Sequence, residues 1–313
     1  MARSFRVAAA ALAAVLAVSC YATHEYREIH EAPARPDPAP DPLPVHVAMV
    51  AGDLHVGPAV ADVLYDLRVR LCRDHFAARL SRGAPGAEAL EVGIRRRPGK
   101  APDVPVEEEK NFVDLGLAAA VAADIRLDLA AGRHRVSLGG LRIVGLRVSA
   151  GSGDLEIDFG SPVRQSPATM LIETGTGPVR VSGLGNAGPG TLAVHGGGGP
   201  LDLDLTGAWG HDAVIEMDVP LADVVVRFPP GLALAIKADG REPGDLALPG
   251  FIHDPDGVWL SPGFPGTGRR IDLRLQPGIG RFEALPVEAA IGAPLPAASP
   301  LLAPRRSDIT PTI

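Results

Sequence analysis

The sequence predicts an all-β protein built as a single stack of short turns, each about 22 residues long. Three observations lead there. Glycine (37) and proline (31) are in excess over 313 residues, which favours turns over long helices. Apolar residues alternate with polar ones along most of the chain, the period of strands with one buried face. The same unit also recurs: a Gly corner followed by apolar residues at every second position.

The chain opens on "MARSFRVAAAALAAVLAVSC", two arginines and then an apolar run from Val7 to Val18, ending in Ser19-Cys20. The run is short and rich in small residues, so residues 1–19 read as a secretory leader rather than a membrane span. Its end resembles a bacterial lipobox, which implies acylation of Cys20 and a stable membrane anchor at the cell envelope. Residues 20–44 follow, with six prolines between Pro33 and Pro44. They are expected to form an extended tether that could hold the folded part up to about 70 Å from the lipid.

Residues 45–285 carry the repeat. The corner positions are Gly52, Gly132, Gly153, Gly177, Gly199, Ala222, Gly244 and Gly280. From Gly132 to Gly244 they are 21, 24, 22, 23 and 22 residues apart, a spacing that suits stacked β turns and excludes coiled coils. The alanine-rich "LGLAAAVAAD" (Leu115 to Asp124) favours helix locally but sits among strands, so it is read as extended. The last interval holds an insertion with "PDG", where Asp254 and Asp256 shape a turn. Residues 286–313 are Pro/Ala-rich and read as a disordered tail. Cys72 then has no intramolecular partner and is expected to be a buried, inert thiol.

"GLRVSAGSGDLEIDF", "TLAVHGGGGPLDLDLTGAWGHDAVIEMDVPLADVVVRFPPGLALAI" and "LALPGF" resemble the toast-rack β-solenoid of LiaF-type cell-envelope stress proteins. The stretch from Val45 to about Asp128, with "DVLYDLRVRL" and "NFVDLGL", looks like the toast-rack N-terminal half. The resemblance implies a right-handed parallel β-solenoid with a binding or scaffolding role and no catalytic residues to carry over. LiaF-type proteins place transmembrane helices before this domain, whereas this chain has a lipobox-like leader.

In such a stack, equivalent residues on successive turns form columns about 4.8 Å apart. The third position after each corner reads Arg135, Glu156, Arg180, Asp202, an outward charge ladder of alternating sign. His195, Asp202 and Asp204 are metal-ligand types, but His195 lies across the corner from the aspartates, so no metal site is expected. "GLGNAG" (Gly183 to Gly188) fits G-x-G-x-x-G without the helix that a dinucleotide site needs, and reads as a corner. No cofactor is expected. The formal charge of −7 and the lack of a basic stripe argue against nucleic-acid binding. The function expected is a non-enzymatic envelope lipoprotein that binds another envelope protein, itself or cell-wall polymer, with a link to envelope stress implied by the resemblance. The alternatives are a carbohydrate-active β-solenoid enzyme and a self-assembling structural protein.

Overall fold

The computed structural model describes residues 25–287 apart from 61, 85–86, 100–110, 239–245, 265–267, 277 and 279. Cys20, the corner at Gly244 and the tail from residue 288 lie outside the described residues.

Why the chain forms short strands follows from its pattern: apolar side chains at every second position are buried and those between them face out. In chain order the first strands are β1 (Tyr26–Glu31), β2 (Leu43–Met49), β3 (Asp53–Pro58), β4 (Tyr65–Cys72), β5 (Phe76–Ala84), β6 (Ala87–Arg96) and β7 (Phe112–Leu117). The middle holds β8 (Ala122–Leu129), β9 (Arg133–Ser137), β10 (Arg142–Ala150), β11 (Asp154–Asp158), β12 (Thr169–Thr174) and β13 (Val179–Ser182). After a one-turn helix α1 (Leu184–Ala187) come β14 (Thr191–Gly196), β15 (Leu201–Asp204), β16 (Ala213–Asp218), β17 (Val224–Phe228) and β18 (Ala233–Ala238). The last are β19 (Leu246–Ala247), β20 (Ile252–His253), β21 (Val258–Leu260), β22 (Arg270–Leu275) and β23 (Phe282–Pro286). The "LGLAAAVAAD" segment is strand, turn and strand, as its neighbours require.

These strands form two sheets that face each other. The eleven-stranded sheet runs β1-β4-β7-β3-β9-β11-β13-β15-β17-β23-β19. The twelve-stranded sheet runs β20-β21-β18-β22-β16-β14-β12-β10-β8-β2-β6-β5. From β8 and β9 to β16 and β17, the chain alternates between sheets and adds one parallel rung per turn. Between the sheets lie matched buried columns: Val56, Val136, Ile157, Val181, Leu203, Val226 and Ala284 on one side, Val47, Leu127, Val148, Ile172 and Val194 on the other.

Both ends depart from simple succession. The rung β2–β3 sits between β6–β7 and β8–β9, so the strands β4 to β7, which follow it in the chain, and β1, which precedes it, all lie outside it. At the far end, β22–β23 slots between β16–β17 and the earlier β18–β19. Outer pairings turn antiparallel, β1 with β4 and β5 with β6 at one end and β18 with β21 at the other, while β19 stays parallel to β23. Buried Asn111 ties the first end together: its side chain accepts from the Cys72 amide at 3.0 Å and donates to the Ala51 carbonyl at 3.4 Å. Ser261 does the same at the second, bonding the Leu232 carbonyl and the Leu234 amide at 2.8 and 3.0 Å.

Corner glycines let rungs approach closely. A Cβ at Gly132, whose φ is +129°, would overlap the Gly52 carbonyl, and one at Gly199 would overlap that of Gly177.

The expected tether over residues 20–44 is corrected in its later part. Tyr26–Glu31 pairs along its whole length with β4, and Pro33 to Ala34 bonds back to Leu64 and Val63. The physical reason is what the two apolar residues meet on β4: Ile29 pairs with buried Val69 and Tyr26 with buried Cys72, and the Arg70 guanidinium lies 4.5 Å from the Tyr26 ring centre. Among the described residues, strand structure is thus present from Tyr26, ahead of the predicted boundary at residue 45.

Candidate functional site

The outward face of the eleven-stranded sheet is set by the rungs' register. Arg135 pairs with Glu156, Glu156 with Arg180, and Arg180 with Asp202 on β9, β11, β13 and β15. Arg135 Nε lies 3.4 Å from Glu156 Oε2, and Arg180 Nε lies 3.5 Å from Asp202 Oδ2. Asp202 also meets Arg227 Nη2 at 3.1 Å, from β17 in the next rung. The column continues beyond the four residues that sequence spacing identifies. His55 on β3 is the neighbour of Arg135, and its Nδ1 lies 2.8 Å from Asp114 Oδ1 on β7, which pairs in turn with Arg68 on β4. The sequence hides this extension because β3, β4 and β7 stack out of chain order.

A second outward column marks the strand starts: Arg133, Asp154, Pro178, Pro200 and Asp223. Between it and the charge ladder runs a groove of about 570 Å³, with Pro178, Pro200 and Val225 supplying apolar lining. Beneath lies His134, 1% exposed, in a column otherwise made of Leu54, Leu155, Val179, Leu201 and Val224. Neither ring nitrogen has a hydrogen-bond partner. Burial pushes its pKa down to about 4, against the opposing pull of Asp53 and Asp154.

A family model described as the N-terminal domain of toast_rack, DUF2154, matches residues 39–182, from the turn before β2 to the end of β13. These residues belong to the toast-rack family. Among solved structures, a candidate cell adhesion protein of Clostridium sporogenes is 14% identical over 84% of this chain and 100% of its own, with a TM-score of 0.41. A candidate adhesin of Bacteroides fragilis is 10% identical over 83% of this chain and 97% of its own, also at 0.41. A candidate lipid binding protein of Parabacteroides distasonis is 8% identical over 84% and 97%, at 0.28. No curated protein matches the sequence.

The remaining motifs find structural places in the β stack. "HGGGGPLDLDLTG" is one corner and the rung β15, with Leu201, Leu203 and Leu205 buried. His195 is exposed on β14 in the other sheet, beside Glu173 and Asp218. Asp204 accepts from the Thr206 amide and hydroxyl at 2.8 and 2.9 Å, which turns the chain at the strand's end. Among the described residues no three His, Cys, Asp or Glu side chains are grouped to hold a metal. "GLGNAG" is a corner holding the one-turn helix α1, flanked by Gly183 and Gly188 in the left-handed region. Its Asn186 side chain donates to the Phe159 carbonyl at 2.8 Å and accepts from the Ala208 amide at 3.1 Å, joining neighbouring turns. Asp254 Oδ1 accepts from the amides of Asp256 and Val258, the turn expected at "PDG". Cys72 is buried with a free thiol. No helix among the described residues is long and apolar enough to cross a membrane.

Proposed function

We propose that this chain is a non-enzymatic binding module of the bacterial cell envelope, anchored through acylated Cys20, that engages another envelope protein along the groove of its eleven-stranded sheet. The groove carries this reading. It combines an apolar lining with a rim of charges that neighbouring rungs already hold in place, so a segment lying along the stack meets fixed polar groups about every 4.8 Å. An adhesive role would use the same face. The leader supports the envelope location, and a link to envelope stress rests on the LiaF resemblance and would act through the partner. The continuous inward columns support a solenoid with turns of about 22 residues, and its right hand rests on the family resemblance.

A photo-cross-linking residue placed at Val225 tests the reading in intact envelopes. A discrete protein adduct is expected there and not from the same probe at Glu216 on the opposite sheet. Equal adducts from both positions, or none, would overturn it. The Cys20→Ser chain should leave the membrane fraction, and retention there would contradict the anchor.

One observation favours the enzyme alternative. Burial raises the Asp158 carboxyl above the usual range, and Glu156 and Asp204 push the same way, as a general acid requires. Against it, the Gly160 amide donates to Asp158 Oδ2 at 3.1 Å and Thr206 engages both oxygens of Asp204. Turnover of a glycan panel that disappears in Asp158→Asn would replace the binding reading.

A further inference from the structure

The sequence shows no basic stripe, yet the fold assembles a basic corner. Arg73 stands in the turn between β4 and β5, and Arg79 lies on β5. Arg95 and Arg96 end β6, and Arg97 follows. All but Arg96 are exposed. Antiparallel pairing sets Ala77 opposite Arg95 and Arg79 opposite Gly93, which makes Arg79 and Arg95 diagonal neighbours on the outer face of β5–β6, the edge of the twelve-stranded sheet. Arg96 lies 5.4 Å from the Phe76 ring centre, and Arg97 Nε donates to the Phe76 carbonyl at 3.0 Å, so the last two are held at the same corner. Among the described residues, these five arginines stand near three acids, Glu25, Asp74 and Glu91.

The chain enters the fold at this corner. The Arg73 amide donates to the Glu25 carbonyl at 2.9 Å, its guanidinium lies 3.3 Å from the Glu25 carboxylate, and the Glu25 amide donates to Asp74 Oδ2 at 3.0 Å. Glu25 is five positions after Cys20, and five residues of fully extended chain span at most about 18 Å. An acylated Cys20 would thus bring this corner to within roughly two Debye lengths of the lipid headgroups.

We propose that the corner formed by Arg73, Arg79 and Arg95–Arg97 is a docking surface for anionic phospholipid headgroups, lying flat against the bilayer into which Cys20 is anchored. The orientation rests on the anchor reading; the surface itself does not. Guanidinium groups match phosphodiesters in geometry and charge. Each basic side chain near an anionic membrane strengthens attachment about five-fold, so a single lipid anchor and this patch act as two signals. The docked end places the groove's rungs farther out along the stack.

The test uses the chain from residue 20 onward with Cys20→Ser, which keeps every described residue. It is sedimented with phosphatidylcholine vesicles, with and without phosphatidylglycerol. Binding only to the anionic vesicles is expected, weakening as salt rises. Arg79→Glu with Arg95→Glu should reduce it by at least about 25-fold, while Arg269→Glu, at the other end of the stack, should leave it unchanged. Circular dichroism confirms that the double variant is folded, and the milder Arg79→Gln with Arg95→Gln serves if it is not. No binding to anionic vesicles, or equal binding by the double variant, overturns the proposal. So does retention on an anionic cell-wall polymer in place of vesicles. Acylation is read separately by palmitate labelling of the native chain, so failure of the anchor leaves the vesicle result interpretable, and the reverse.

Discussion

His134 occupies an inward position that its neighbours in the column fill with Leu or Val, and it brings two ring nitrogens without partners into the core. Its neutral form is the one the fold accepts. The unfolded chain binds a proton near pH 6.5, the folded chain only near about 4, so between these values the unfolded state holds more protons. Stability is therefore full above about pH 6.5 and falls as pH drops towards about 4, by up to about 3 kcal/mol. His134→Leu should flatten that dependence in urea denaturation at pH 7 and pH 5, and identical pH slopes for both proteins would contradict it. The ladder makes a smaller contribution because its side chains are largely exposed. Arg180→Glu sets a third acid between Glu156 and Asp202 and should cost about 0.5–1 kcal/mol. The same change should cost less in an Asp202→Asn background, as a double-mutant cycle on melting would show.

At the scale of strands, the out-of-order rungs are joined by carboxylates that accept a backbone amide from the next layer. Asp53 Oδ1 takes the Arg133 amide at 3.0 Å across 80 positions, where β3 meets β9. Asp223 takes the Arg281 amide at 3.0 Å, and Asp212 that of Arg270 at 2.9 Å, each across 58 positions, where β16–β17 meets β22–β23. Asp53→Ala and Asp223→Ala should each cost about 1 kcal/mol. Hydrogen exchange should quicken at Arg133 in the first and Arg281 in the second while Val148 stays protected. A uniform loss of protection would argue that these contacts do not fasten the joints. These strands were legible one by one from their alternation, and the Gly corners placed each rung correctly in the middle of the chain. Arg135, Glu156, Arg180 and Asp202 could be read as neighbours for that reason. His55 and Asp114 could not, since every rung shows the same apolar stripe and the pattern does not encode which rung it will meet.

For the whole molecule, the two displaced rungs bind distant parts of the chain to one another. Neither end is a loose final turn: β18–β19 closes the far end over β22–β23, and β1, β4 and β5 close the near end. The same closure absorbs Tyr26–Glu31 from what composition alone presents as a spacer. Proline content signalled an extended chain but not the half-buried Tyr26 and Ile29 that bind it to β4. The outward face is continuous only if the rungs stack in this order, because Val225 then lies beside Glu283 and not beside Ala247. Paired cysteines measure this directly. In Val225→Cys with Glu283→Cys the Cα atoms stand on adjacent strands about 4.8 Å apart, within disulfide range, whereas Val225 and Ala247 are two strands apart. The first pair should oxidise to an intrachain disulfide in the native protein while Val225→Cys with Ala247→Cys remains reduced. A disulfide in the second pair and none in the first would contradict the stacking order and the binding face built on it.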